Sequence, residues 1–158
     1  MIDQLTSTSA SAYIIGYSDS KIAKSETNDC VVRSFASALK ITYDEAHQFV
    51  GVKFNRKNRK GTARFVSIMN NMSSHATVLW GKTLNRLGNG KSKNSMTYED
   101  KGRVRNMTTF QFLKRYPKGT YMVTVTGHAF TIKDGVVIGN HEDVLKTKKV
   151  ILHAWQVM

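Results

Sequence analysis

Cysteine, proline and acidic residues are all scarce in this chain. Its 158 residues include one cysteine and one proline. A single cysteine excludes an intramolecular disulfide, so nothing in the composition calls for an oxidising compartment. Long apolar runs are also missing, and no stretch approaches the roughly 20 residues that a membrane-spanning helix needs. The opening Met1-Ile2-Asp3-Gln4 has no basic segment followed by an apolar one, so no signal peptide is expected. A soluble protein of the cytoplasm, without a membrane partner, is the expectation. No Gly-rich phosphate loop or dinucleotide fingerprint occurs. Apart from His141 with Glu142 or Asp143, no metal-ligand types stand at short spacing, so neither a cofactor nor a metal is expected.

Acidic residues number 11 against 24 lysines and arginines, a formal charge of +13. Lys53, Arg56, Lys57, Arg59, Lys60 and Arg64 form one cluster, and a second stretch runs from Lys82 through Arg105. Such charge attracts polyanions through counterion release or steers acidic protein partners, and it also serves simply as a solvated surface. Only Phe54 and Phe65 flank the first cluster, so base stacking is not indicated. Contacts from Lys53, Arg56, Lys57, Arg59 and Lys60 to nucleic acid would go mainly to phosphate.

The length suits one domain, 1–158, with a core of its own. Residues 1–20 read as a loose N-terminal arm that contains a short strand over 12–17. A helix follows from Cys30 to about Lys40. Thr42, three residues before Glu45, forms a capping box that opens a second helix closed by Gly51. A third helix is expected over 62–72 and a short one over 110–116, stopped by Pro117-Lys118-Gly119. Residues 85–106 show no periodicity and read as a long mobile loop. Beyond 120 the pattern is extended: 121–126 continuing through 130–132, a turn at Lys133-Asp134-Gly135, a return over 136–138 and a last strand over 150–155. Helices first and an antiparallel sheet afterwards make an α+β arrangement.

Two positions carry chemistry. Thr27, Asn28 and Asp29 are helix-capping types, and Val31, Phe35, Ala38 and Leu39 repeat at helical spacing, which puts Cys30 in the first turn. A thiol there lies in the positive end of the helix dipole, which favours thiolate. Asp29 would raise its pKa and Arg33 would lower it. A lone cysteine is also commonly a small core residue. The second position is His128, which follows Gly127 on a strand whose return ends at Asn140. With a three-residue loop at 133–135, His128 lies opposite Asn140; with the two-residue Asp134-Gly135 loop, His141 takes that place. An amide or carboxylate there would fix the imidazole as a general base requires. His47, His75 and His153 carry weaker signals.

The runs Asn28-Asp29-Cys30-Val31-Val32-Arg33 and Tyr121-Met122-Val123-Thr124-Val125-Thr126-Gly127-His128-Ala129-Phe130-Thr131-Ile132-Lys133-Asp134-Gly135-Val136-Val137-Ile138-Gly139-Asn140, with the short helix and Pro117-Lys118-Gly119 turn ahead of the second, together resemble the papain-like cysteine peptidase superfamily. The likeness is to its small bacterial and phage branches, near the C39-like and NlpC-like peptidases, and residues 51–106 have no part in it. The resemblance implies a papain-like fold, N-terminal helices on a C-terminal antiparallel sheet. It also implies a thiol peptidase or amidase that cleaves an amide or isopeptide bond of a peptide or protein substrate. Cys30 would be the nucleophile, His128 the base and then acid, and Asn140 the orienting residue, with Asp143 a competitor for that place. The family's usual glutamine before the cysteine is missing; Asn28 is the expected oxyanion donor, with Gln4 a second source. The alternative is a basic binding module of the same fold with weak catalysis, taking nucleic acid or an acidic host protein.

Overall fold

The computed structural model describes residues 8–88, 96–139 and 148–158. Mixed helix and sheet make an α+β fold around an antiparallel sheet. The strands of the main sheet are β1 (Thr8–Ser9), β2 (Val78–Leu79), β3 (Lys82–Arg86), β6 (Thr120–Val125), β7 (His128–Lys133), β8 (Val136–Gly139) and β9 (His153–Val157). Their order is β1-β8-β7-β6-β9-β3-β2, and only the edge pair β1–β8 is parallel. Strands β4 (Thr97–Asp100) and β5 (Arg103–Asn106) form a separate hairpin.

Alternation along the strands loads both faces of the sheet. Met122, Ala129, Ile138 and Trp155 belong to a core shared with the helices α3 (Cys30–Leu39), α4 (Tyr43–Lys53) and α5 (Phe65–Ser74). Tyr121, Val123, Phe130, Ile132 and Ala154 face a second core closed by Phe112 of α6 (Thr109–Arg115). Burial on both faces explains why β6 and β7 read as near-continuous apolar runs rather than as alternation.

Helix α3 is the central element. Nearly every residue from Val31 to Leu39 is buried, and Phe35 meets the rings of Phe49, Phe54 and Phe65 at 5.3–6.3 Å. The helix ends where expected, at Lys40, which adopts the left-handed conformation that terminates helices. The Thr42–Glu45 capping box opens α4, and the helix runs past Gly51 to Lys53. Glycine tolerates a helical interior at a modest cost, and Phe54 beyond it is drawn into the aromatic cluster.

Three expected elements differ. Residues 12–17 are not a strand: α1 (Ala10–Tyr13) precedes one isolated bridge, Ile15 with Thr42, and a short helix α2 (Lys21–Lys24) follows. The extended segment around 126 is two strands, because Thr126 and Gly127 turn the chain so that Val125 pairs with His128. Gly127 has φ +69°, which only glycine adopts cheaply. The expected loop 85–106 contains β4 and β5 in its described part, joined at Lys101 and Gly102, both with positive φ as a tight hairpin turn requires. Among the described residues no helix is long and apolar enough to cross a membrane.

Candidate active site

The chain before Cys30 is held by an unusual set of bonds. Asp29 occupies the N-cap position of α3 but caps nothing with its side chain. Its carboxylate accepts the Tyr43 hydroxyl at 2.7 Å and meets the Arg33 guanidinium at 3.2 Å. Upstream, the buried Glu26 binds Arg56 at 2.8 Å, the Arg59 backbone N–H at 2.7 Å, and His47. Burial pushes the Glu26 carboxyl up, but these hydrogen bonds and the Arg56 charge outweigh it and hold the group at about 2. Arg56 also donates to the Thr27 carbonyl at 3.1 Å. The basic loop is therefore anchored to the segment that leads into Cys30.

A second lock sets α3 against the sheet. The hydroxyls of Ser34 and Ser37 each lie 2.9 Å from the Thr131 hydroxyl, which donates to the Ser34 carbonyl at 3.0 Å. Ser34 is one helical turn beyond Cys30, and Thr131 lies on the strand that His128 opens. Fixing this contact fixes the approach of the thiol to the start of β7.

There the two expected residues meet. Burial pushes the Cys30 thiol up, yet its pKa falls below the ordinary value. A hydrogen bond with the His128 side chain, one from the Ala129 N–H, and the charges of His128 and Arg33 more than offset the burial. Arg33 acts as its position suggests, while Asp29 is occupied by Tyr43 and Arg33. The His128 ring stacks beside that of Phe130, the planes 29° apart and the centroids 6.0 Å apart, which restrains its orientation.

The pair opens onto a cleft of about 660 Å³, within the usual range for ligand sites. Cys30, His128 and Ala129 line it together with Thr62, Arg64 and Phe65, which lie ahead of and within α5. The Thr62 hydroxyl oxygen is buried there without a hydrogen-bond partner. No protein-family model, curated protein or solved structure matches the chain. The site is read from its own geometry.

Other expected residues fare differently. Asn28 donates a side-chain N–H to the Arg59 carbonyl at 3.1 Å and does not line the cleft, so the structure does not support it as an oxyanion donor. Arg56 is buried in the Glu26 pair, which removes it from the basic surface. Lys53, Lys57, Arg59 and Lys60 are exposed. The β7–β8 ladder pairs Lys133 with Val136, so the loop is the two-residue type, Asp134-Gly135. The three-residue loop on which the pairing of His128 with Asn140 depends does not form. Asn140, His141, Glu142 and Asp143 lie outside the described residues, as does Gln4.

One cleft residue was underrated by its sequence context. His153 pairs with Thr124 across β9 and β6, its Nδ1 lies 3.1 Å from the Thr124 hydroxyl, and it lines the same cleft. Only the long-range pairing of β6 with β9 brings it there, and no local motif announces that pairing.

Proposed function

We propose that this chain is a thiol-dependent peptidase or amidase of papain-like fold that uses Cys30 as nucleophile and His128 as base and then acid. The observation that carries the reading is the Cys30–His128 hydrogen bond at the mouth of a cleft, with the thiol pKa lowered against the pull of burial. Thiolate attack on an amide carbonyl gives a tetrahedral intermediate. His128 protonates the leaving amine, and water activated by the same imidazole then hydrolyses the thioester. The Cys30 N–H, in the first turn of α3 where backbone donors have no intrahelical partner, supplies one oxyanion donor. Only the family resemblance still names Asn140 as the orienting residue, because the pairing that favoured it depends on a loop that does not form; His141 and Asp143 are its competitors.

The test is turnover of a quenched peptide library by the wild-type chain, Cys30→Ala and His128→Ala. Both variants should fold, judged by circular dichroism, and lose hydrolysis. Undiminished turnover in either overturns the assignment. The exposed Lys53, Lys57, Arg59 and Lys60 favour a second activity, binding of nucleic acid or an acidic protein. For nucleic acid, affinity should fall steeply with salt, and a flat response counts against it.

A further inference from the structure

The lining of the cleft has a chemical bias around Arg64. Arg64 stands there with φ +58°, an uncommon backbone conformation for a residue other than glycine. Two residues earlier, Thr62 also lines the cleft, and its hydroxyl oxygen is buried with no hydrogen-bond partner in the protein. Unpaired buried hydroxyls are costly, and a ligand acceptor met by rotation of the Thr62 side chain into the cleft would remove that cost. Beside these groups the lining is apolar, with Phe65, Val66, Val31 and Leu152. Among the described residues no aspartate or glutamate lines the cleft, whereas Arg64 and His153 do.

We infer that the cleft selects peptide substrates carrying a carboxylate side chain near the scissile bond, received by Arg64 and Thr62, beside an apolar residue seated on Phe65 and its neighbours. This rests on the peptidase reading above and names its substrate class. A guanidinium and a hydroxyl together suit a carboxylate, because the first supplies charge and directed donors and the second a further donor. The surplus of positive charge over the whole chain would draw the same substrates in.

The experiment uses internally quenched octapeptides with a central leucine and Glu, Gln or Lys at each other position in turn. For wild-type protein, at least one position should show Glu cleaved about tenfold faster than Lys, the factor expected of one charge-assisted contact. Arg64→Glu should invert that ratio, and Arg64→Gln should flatten it; Arg64 is exposed, so both variants should fold. Cleavage with no preference between Glu and Lys, or a preference that survives Arg64→Glu, overturns this inference and leaves the peptidase reading standing. Absence of cleavage in every peptide overturns both.

Discussion

At the residue scale, the buried carboxylate Glu26 decides how firmly the segment before the nucleophile is held. Its partner Arg56 is itself buried, so removing the carboxylate strands a guanidinium in the interior. Breaking one side of such a pair typically costs about 3–5 kcal/mol, and Glu26→Gln should destabilise by that order in urea unfolding. A pH dependence follows from the same group. Its folded pKa of about 2 lies below the ordinary carboxylate value of 4.5. Its contribution is therefore fully present above pH 4.5 and is lost as pH falls towards 2. Wild-type stability should drop through that window, and the drop should be smaller in Glu26→Gln.

At the scale of elements, the joint between α3 and β7 sets the geometry of the site. Thr131→Val keeps the volume but leaves the Ser34 and Ser37 hydroxyls with one fewer partner, a loss of about 1–3 kcal/mol. Thermal stability should fall accordingly and turnover with it, because the same joint positions Cys30 beside His128. Normal turnover in a destabilised protein would show that the joint serves stability alone. The helices were largely legible in the sequence because their signals are local: the Thr42–Glu45 box, the apolar spacing after Cys30, and Thr108 ahead of α6. What escaped depends on pairing between distant residues. Strand β3 is polar at most positions and exists because Leu84, Asn85 and Arg86 pair with β9. The β4–β5 hairpin is exposed over all of β5 and so carries no apolar pattern to read. In the site, Cys30 and His128 stood out by their local settings. The failure of Asn28 and Arg56 turned on the partners Arg59 and Glu26, which lie roughly thirty residues away.

At the scale of the whole molecule, the two cores lie on opposite faces of shared strands. Neighbouring residues of β6 and β7 belong alternately to one core and the other. Losing either core therefore exposes strands that the other needs, and unfolding should be a single cooperative transition. Tryptophan fluorescence, reporting on Trp155 in the helix-side core and on the more exposed Trp80, should change together with far-ultraviolet circular dichroism. Separated midpoints would show that the faces unfold independently.

The central claim is that His128 activates Cys30, and the pH dependence of iodoacetamide alkylation at Cys30 tests it most directly. Chain-wide selectivity is assured because there is one cysteine. In the wild-type protein the midpoint should lie below 9.0, the ordinary thiol value. His128→Ala removes a hydrogen bond and a charge that favour thiolate while leaving the thiol largely buried, so its midpoint should move to higher pH. Coincident profiles, or a midpoint that moves to lower pH, would contradict the account.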